Sequence, residues 1–301
     1  MSEQPTVARD GDALSVTAAG TEIARYVLAP GAPAEEAPKP YLHPLRTLGG
    51  APVTAVRPWD HRWHKGLQMT WSHVSGQNFW GGPTYVHGQG YVWLDNLGTI
   101  AHDRFEEIGE GGGEAAFTEH LSWTAATGRR WIEEVRTHRF HGVDPERGTW
   151  ALDFSTTLAN VRGAALELGS PTTHGRKAAG YTGLFWRGPR AWTGCKVYSE
   201  AGHRGDAVMG TRSEWIAFAG RHDETDGGAT VLAYAGTTSG AVPITWFARS
   251  EAFPAFCPSP AFDEPLWLEP GGTLELWHRI VVADRECGAE EAHRLAEEYA
   301  P

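Results

Sequence analysis

Cysteine and methionine are scarce in this chain, with three of each among 301 residues, and no two cysteines form a CxxC pair. An odd number of cysteines without paired spacing argues against a disulfide framework and favours a reducing compartment. The N-terminus has neither the basic segment nor the apolar segment of a secretory signal peptide. We therefore predict a cytoplasmic protein whose cysteines are small buried hydrophobic residues.

Long apolar runs and clusters of basic residues are also missing. A membrane-spanning helix needs about 20 predominantly apolar residues, so no membrane is expected as a partner. The net charge of −11, from 26 basic and 37 acidic residues, disfavours nucleic acid as a partner, because phosphate binding needs clustered Lys and Arg. The sequence also has no P-loop, GxGxxG, HExxH or GxSxG motif, which argues against nucleotide, zincin and α/β-hydrolase chemistry.

The chain is rich in glycine and tryptophan, with 37 and 14 residues, and its hydrophobic residues alternate at a period of two along most of its length. This pattern predicts strands, which we place at residues 13–18, 21–28, 52–56, 117–124, 130–140, 149–159, 208–219, 230–235, 244–249 and 273–283. Only residues 288–300 show helical spacing. We predict a single all-β domain over residues 1–301, a large antiparallel β-supersandwich with a short C-terminal helix, in which residues 29–40 form a surface connection.

The most informative segment for function is DHRWHKG, at residues 60–66. It places His61 and His64 three residues apart, beside the carboxylate of Asp60. Imidazole has the unperturbed pKa nearest neutrality, so His61 and His64 are candidate catalytic residues, as acid and oxyanion stabilisers. Asp60 is a candidate to fix a tautomer and to contact the substrate. Two histidines with a distant carboxylate are also a known ligand set, so a divalent metal at His61 and His64 is the alternative to a site without a cofactor.

Tryptophans lie among these histidines, and aromatic faces beside titratable groups are typical of a pocket for a polar ring-shaped ligand. A second segment, residues 170–190, is rich in glycine, which permits close approach of the backbone to a ligand. The two segments offer candidate ligand contacts: Trp63 and Trp186 for stacking, Tyr181 and Arg187 for hydrogen bonds, and His174 as a second acid.

Alternation also assigns charged residues to strand faces. In residues 246–251 it predicts that Phe247, Arg249 and Glu251 face the same way, and Arg249 among apolar neighbours needs either a partner or a ligand. Glu251 and Glu264 are the candidates for a carboxylate base. The strand at residues 130–140 carries Glu134, Arg136 and His138 on one face. We predict that this face is exposed and polar.

A combination of motifs resembles an uncharacterised bacterial family named methane oxygenase PmoA. The motifs are YLHPLRT at residues 41–47, DHxxHKGL at 60–67, NFW at 78–80, GLFWRG at 183–188 and WFxR at 246–249. The resemblance spans about residues 41–283, and His43 and Arg46 of the first motif are substrate-binding candidates. Family members often carry His where this chain has Trp63, which weakens a three-histidine metal site. A membrane-embedded oxygenase subunit does not agree with a chain that lacks an apolar span.

A looser resemblance is to the galactose mutarotase and aldose epimerase supersandwich. These enzymes have an early histidine in a glycine-rich loop, a later histidine after a strand and a late carboxylate base. The order of His61 and His64, His174, and Glu251 or Glu264 is similar. The resemblance implies a carbohydrate-active protein that transfers protons on a sugar or oxidised sugar derivative, as an epimerase, mutarotase or lyase does. A metal-dependent enzyme and a non-catalytic sugar-binding domain are the alternatives.

Overall fold

The computed structural model describes residues 4–301. Its strands are β1 (Thr6–Asp10), β2 (Ala13–Ala18), β3 (Thr21–Val27), β4 (Tyr41–Leu45), β5 (Leu67–Trp71), β6 (His73–Val74), β7 (Thr84–Val86), β8 (Gly90–Val92), β9 (Thr99–Gly111), β10 (Glu114–Thr124), β11 (Arg130–Asp144), β12 (Thr149–Asn160), β13 (Leu166–Gly169), β14 (Thr182–Arg187), β15 (Lys196–Ser199), β16 (Trp215–Arg221), β17 (Gly228–Thr238), β18 (Thr245–Arg249), β19 (Ala255–Ser259), β20 (Leu266–Leu268) and β21 (Thr273–Ala283). The α-helix is α1 (Ala289–Glu298), and short 3₁₀ turns lie at Ala34–Glu36, Arg190–Trp192, Gly205–Val208 and Ser239–Ala241.

Two eight-stranded antiparallel sheets make up most of the fold. The first has the strand order β1-β2-β3-β4-β5-β14-β19-β18, and the second has the order β15-β16-β17-β21-β12-β11-β10-β9. Side chains of both sheets meet in one large core, with Trp71 and Trp186 from the first sheet and Trp123 and Trp150 from the second. This arrangement confirms the predicted all-β sandwich, in which two sheets bury their facing sides.

Smaller elements cover the sandwich. A three-stranded sheet has the order β20-β13-β6, and β7 pairs with β8. The helix α1 packs through Ala292, Leu295 and Tyr299 against Trp215 and Val281 of the second sheet, as its apolar spacing predicts. Within the described residues, none of the helices has the length and apolar character needed to cross a lipid bilayer.

The segment at residues 52–56 is not a strand. Its backbone groups bond to two different partners, because Val53 donates to the carbonyl of Leu45 and Ala55 donates to that of Arg187. Pro52 has no N–H to extend a ladder and makes only an isolated bridge to Arg46. The period-two alternation did not show that the backbone hydrogen bonds of this segment go to two different strands, β4 and β14. The strand predicted from residue 208 likewise begins only at Trp215, after a 3₁₀ turn.

Residues 29–40 are only partly a surface connection. The first half is exposed, but Glu36 and Lys39 are buried. The Glu36 carboxylate pairs with Lys65 and with Arg57, and the Lys39 ammonium donates to the carbonyls of Glu36 and Trp80 at 3.2 and 3.1 Å. These charges are tolerated inside the protein because each has a partner, which composition could not show.

The prediction of an exposed polar face on β11 is wrong. Glu134, Arg136 and His138 are buried between the sheets. Arg136 donates to both carboxylate oxygens of Glu134 at 2.7 and 2.9 Å, and Glu134 also accepts bonds from Trp123 and Thr156. A satisfied polar network is stable in a core, and its period-two spacing is the same as that of an exposed face.

Buried histidines are expected to make the fold acid-sensitive. His278 donates Nδ1–H to the carbonyl of Ala235, and burial lowers the pKa of His278 to about 4. Burial also lowers the pKa of His43 to about 4. An unfolded histidine has a pKa of about 6.5, so between pH 6.5 and 4 only the unfolded chain gains these protons, and the free energy of unfolding falls by about 1.4 kcal/mol per pH unit for each group. Above pH 6.5 both states are neutral at these positions, so stability is at its full value and no longer changes with pH through these groups.

Urea unfolding at several pH values between 7.5 and 4.5 measures this effect. His278→Gln keeps a polar side chain but cannot titrate, so we expect a shallower fall in the free energy of unfolding below pH 6.5. His293→Gln is the matched control, because His293 is exposed on α1. The same slope in His278→Gln as in the unmodified protein would contradict the assignment.

Candidate functional site

A cavity of about 290 Å³ lies on the outer face of the first sheet. Leu184 and Trp186 of β14 point into the core between the sheets, so Phe185 points to the opposite side, where a separate aromatic cluster forms. The walls of this aromatic cavity comprise His61, Trp63, His64, Trp80, Gly81, Pro83, Tyr91, Arg176, Tyr181, Phe185, Phe247, Arg249 and Phe253. Its volume is near the lower end of the range for ligand pockets, about 300–1,000 Å³.

Several separate segments build the aromatic cavity. The loop between β4 and β5 contributes the two histidines and Trp63, and the loop between β13 and β14 contributes Arg176 and Tyr181. Phe247 and Arg249 reach it from β18, where they share the outward face that alternation predicts. Because β14, β19 and β18 are adjacent in the first sheet, segments far apart in the sequence meet over one surface.

Two glycines allow Trp63 to form one wall. Gly81 and Gly82 have φ values of +97° and +69°, which L side chains rarely adopt. A Cβ atom at Gly82 would lie 2.6 Å from the indole ring of Trp63. The Trp63 ring then meets His61 edge-on, with ring centroids 5.4 Å apart. Glycine at these positions therefore permits the close packing of the indole beside the imidazoles.

His64 is a neutral hydrogen-bond donor at the base of the aromatic cavity. The side chain is 4% exposed, and Nη1 of Arg187 lies 3.1 Å from its Nδ1. A guanidinium can only donate, so Nδ1 accepts and Nε2 carries the proton. Burial, followed by the charges of Arg187 and His61, holds the pKa of His64 well below its usual value. Within residues 4–301 its Nε2 has no hydrogen-bond partner, so this N–H is available to a ligand oxygen.

His61 is suited to accept a proton. Its ring stacks on His64, with centroids 4.8 Å apart and planes inclined by 27°. Its Nδ1 is shielded from solvent and lies 3.4 Å from the Asp60 carboxylate, so Nε2 is the accessible nitrogen. Burial lowers the pKa of His61, although Asp60 partly opposes the shift. A neutral imidazole beside a carboxylate is a common general base.

Two arginines make the aromatic cavity cationic. No Asp or Glu is among its described lining residues. The Arg249 guanidinium lies 5.3 Å from the Phe247 ring, and we find no hydrogen bond or ion pair from it to a described side chain. Arg176 donates to the Tyr91 hydroxyl and lies over that ring, also without a carboxylate partner among the described residues. Burial and then the charge of Arg176 lower the pKa of Arg249, which favours an anion between them.

Arg187 lies behind His64 rather than in the cavity wall. It is fully buried, and its Nε and Nη2 atoms have no hydrogen-bond partner in the described chain. Its guanidinium carbon is 4.0 Å from the centroid of Phe253. Burial lowers the pKa of Arg187 to about 10, so it stays charged at neutral pH. The structure therefore places Arg187 where it orients His64, not where it clamps a ligand.

Both candidate carboxylate bases lie outside the aromatic cavity. The strand β18 ends at Arg249, so the alternation does not extend to Glu251. The Glu251 side chain is exposed, and its backbone N–H lies 3.4 Å from the Asp206 carboxylate. Glu264 is exposed in the turn after β19. Neither residue is among those that line the aromatic cavity, so the structure does not bring the predicted carboxylate base together with His61 and Arg249.

Four further candidates are also outside. Trp186 is fully buried in the sandwich core and donates to the carbonyl of Val53, so it cannot stack on a ligand. His43 bonds to the Thr54 hydroxyl at 2.9 Å, and Arg46 donates to the carbonyl of Gly50. His174 lies with His73 and Glu167 in a separate cluster. Within residues 4–301, this is the group of three residues whose potential metal-ligand atoms converge. That group contains neither His61 nor His64.

The candidates chosen from the sequence did not include several wall residues: Tyr91, Arg176, Phe185 and Phe253. Arg176 lies within residues 170–190, which the sequence analysis selected as a ligand-binding segment, but His174 rather than Arg176 was chosen there as a candidate. The turn at residues 171–175, closed by the bond from Arg176 N to the carbonyl of Pro171, carries the two residues to different sites. Asp60 lies beside His61 and pairs with Arg190 at 2.6 Å, outside the wall itself.

Comparison with known proteins gives a family but no activity. The sequence has no match among curated proteins. Among solved structures it is similar to a GH36 alpha-galactosidase from Geobacillus stearothermophilus in complex with raffinose, with 12% identity, a TM-score of 0.43, and coverage of 94% of this chain and 41% of that one. It is also similar to the alpha-galactosidase of Lactobacillus brevis, with 8% identity, a TM-score of 0.40, and coverage of 94% and 39%.

A third similar structure is a TPR-domain containing protein from Parabacteroides distasonis, with 9% identity, a TM-score of 0.40, and coverage of 92% of this chain and 48% of that one. The chain spans less than half the length of each of these three proteins. The family that matches carries no methane oxygenase name. Its match extends over residues 13–297, so the chain belongs to DUF6807, a family of unknown function.

Proposed function

We propose that the aromatic cavity binds a small sugar derivative that carries a carboxylate, and that His61 and His64 move a proton on it. One observation supports this most directly. Two neutral imidazoles and two guanidinium groups without carboxylate partners line a single cavity that has no acidic wall residue in the described chain. Trp63, Trp80 and Phe253 offer apolar faces for the C–H side of a sugar ring.

The charge of the walls favours an anionic ligand. A guanidinium that is partly withdrawn from water is stabilised by an opposite charge, and its planar fork matches a carboxylate. Arg249 and Arg176 repel each other across the aromatic cavity until an anion lies between them. A neutral sugar would leave this repulsion uncompensated. A uronate, whose carboxylate is attached to a ring carbon that also carries a hydrogen, satisfies both the arginines and the aromatic walls.

The imidazoles then supply the chemistry. Nε2 of His61 takes the proton from the carbon beside the carboxylate, and the electron pair moves onto the carboxylate oxygens. The N–H of His64 and the two guanidinium groups stabilise that developing charge. An epimer forms if the planar intermediate turns over in the aromatic cavity before protonated His61 returns the proton, so that the proton reaches the other face of the same carbon. If instead the oxygen substituent on the next carbon leaves, it takes the proton from His61 and a double bond forms, which is a lyase reaction.

A second function, metal-dependent catalysis at His61 and His64, receives less support from the geometry. The guanidinium of Arg187 donates to Nδ1 of His64 and places a positive charge beside the imidazole pair. No described carboxylate among the wall residues supplies a third ligand. A mutarotase reaction would need a carboxylate base, and no described Asp or Glu lines the aromatic cavity.

Calorimetry with matched sugars tests the binding. Glucuronate and galacturonate are compared with glucose and galactose, and we expect the acids to bind about 10- to 100-fold more tightly, as one charge-assisted hydrogen-bonded pair implies. Arg249→Met should remove this preference. Arg212→Met is the matched control, because Arg212 is exposed and outside the cavity wall. Equal binding of acids and neutral sugars, or a preference that survives Arg249→Met, would overturn the anionic ligand.

NMR of the bound sugar in D₂O separates catalysis from binding alone. Proton transfer predicts deuterium at the carbon beside the carboxylate, or a new olefinic signal, in the unmodified protein. A uronate that binds through Arg249 without any such change would identify a non-catalytic binding domain.

A further inference from the structure

We propose that His73, Glu167 and His174 form a binding site for a divalent transition metal, with Zn²⁺ as the best match, separate from the aromatic cavity. One ligand atom of each residue lies within 4.8 Å of those of the other two. The rings of His73 and His174 have centroids 3.6 Å apart, and Nε2 of His174 is 3.6 Å from Oε1 of Glu167. None of the functions proposed for the aromatic cavity uses these three side chains.

The backbone brings the three ligands together. In the pairing of β6 with β13, His73 lies opposite Gly169, and Glu167 is two residues before Gly169, so His73 and Glu167 share one face. The turn at residues 171–175 then folds His174 back over that face. A Cβ atom at Gly169 would lie 3.1 Å from Cε1 of His174 and 3.3 Å from Oε1 of Glu167. Glycine at this position keeps the space between the ligands open.

The hydrogen bonds of His174 point its free lone pair at the carboxylate. Nδ1 of His174 lies 2.9 Å from the carbonyl of Ser170, which can only accept, so Nδ1 carries the proton. The hydroxyl of Thr173, 3.0 Å from the same nitrogen, gives its own proton to that carbonyl. With Nδ1 bonded to this carbonyl, Nε2 is the nitrogen that faces Glu167. A metal ion fits between Nε2 and the carboxylate, and a backbone carbonyl on the far nitrogen is the usual support of a metal-bound histidine.

The ligand set indicates the kind of metal. Two imidazoles and one carboxylate bind zinc in open sites, where a fourth position is left for water or another ligand. Ligand atoms about 2.0–2.2 Å from a tetrahedral zinc are roughly 3.4 Å apart, close to the observed separation of His174 and Glu167. Ca²⁺ and Mg²⁺ prefer oxygen ligands and are expected to bind poorly. All three residues are partly exposed, so an ion can enter from solvent.

A metal here would also hold the loop that serves the aromatic cavity. His174 is two residues from Arg176, and the same loop continues to Tyr181 before β14 begins. Fixing His174 to His73 and Glu167 ties this loop to β6 and β13. In this second role the metal restricts the motion of residues 172–180, and the effect does not depend on which ligand the aromatic cavity binds.

Titration of the chelator-treated full chain with ZnCl₂ by calorimetry, and with CoCl₂ by visible absorption, tests the site. We expect one Zn²⁺ per chain and a Co²⁺ spectrum with nitrogen and oxygen ligands. Glu167→Gln, which preserves side-chain size, and His73→Ala should each weaken binding by at least about 100-fold. His203→Ala is the control, because it removes an exposed histidine elsewhere. Absence of stoichiometric binding, or equal binding by Glu167→Gln, would show that His174 and Glu167 are only an ion pair and would overturn the proposal.

Hydrogen–deuterium exchange tests the loop separately. Zn²⁺ should slow exchange of the amides at residues 172–180 in the unmodified protein and not in Glu167→Gln. Stoichiometric Zn²⁺ binding without this protection would overturn the loop-holding role and leave the metal site in place. Both measurements are independent of sugar binding, so they can succeed or fail whatever the outcome for the aromatic cavity.

Discussion

His64→Asn is expected to lower turnover of the uronate about 100- to 1,000-fold, the usual cost of removing one donor to a developing oxyanion. The amide oxygen of Asn occupies roughly the position of Nδ1, so Arg187 keeps its acceptor. The shorter side chain has no counterpart of Nε2, so the aromatic cavity loses the N–H that faces the ligand. Steady-state kinetics and urea unfolding measure the two consequences separately.

His64→Ala provides the contrast. It removes both the cavity donor and the acceptor of a buried guanidinium, so the free energy of unfolding should fall by a further ~1–3 kcal/mol relative to His64→Asn. If His64→Asn retains full turnover, His64 does not stabilise charge in the reaction. If both variants are equally stable, the bond between Arg187 and His64 contributes nothing to folding.

Arg187→Met is expected to abolish most turnover without destabilising the protein. Arg187 is a buried cation with no carboxylate partner in the described chain, and its Nε and Nη2 atoms are unpaired. A methionine of similar volume removes the cost of burying that charge and leaves no opposite charge behind. Relief of the buried charge offsets the ~1–3 kcal/mol lost where Nδ1 of His64 is left without a donor, so we expect a free energy of unfolding that is unchanged or higher. The loss of activity follows because His64 is no longer held as the Nε2–H tautomer.

Arg190→Met is the matched control for Arg187→Met. Arg190 is exposed and pairs with Asp60, so its loss should change the free energy of unfolding by less than about 1 kcal/mol. A loss of 3–5 kcal/mol in Arg187→Met, the size expected when one partner of a buried pair is removed, would show that the guanidinium has a charged partner after all.

Local patterns in the sequence predicted much of the fold. Alternation located the hairpin of β2 and β3, the long strands β10 to β12, and β21, because a strand with one buried face repeats every two residues. The same pattern could not tell which face of β11 is buried, since Glu134 and Arg136 satisfy each other inside the core. Nor could it reveal that Glu36 and Lys39 are buried, because their partners come from other segments.

The candidate site was likewise predicted only in part from the sequence. The spacing of His61 and His64 drew attention to a loop that lines the aromatic cavity, and Arg249 was recognised as a cation in need of a partner or a ligand. Glu251 was drawn from an alternation that ends with β18 at Arg249, and Trp186 from a motif, which carries no information on direction. One residue of register places Trp186 in the core and Phe185 in the cavity wall, because neighbouring strand residues face opposite sides.

The sequence by itself determined the β-sandwich, the histidine pair and the shared face of Phe247 and Arg249, since each depends on residues that are close along the chain. The tertiary structure decided that Arg176 joins them, that no described acidic residue lines the cavity, and that His174 lies with His73 and Glu167. These outcomes depend on the order of strands in the sheets and on the direction that the chain takes after the turn at residues 171–175. Contacts between distant segments follow from packing of the whole molecule, and no local spacing encodes them.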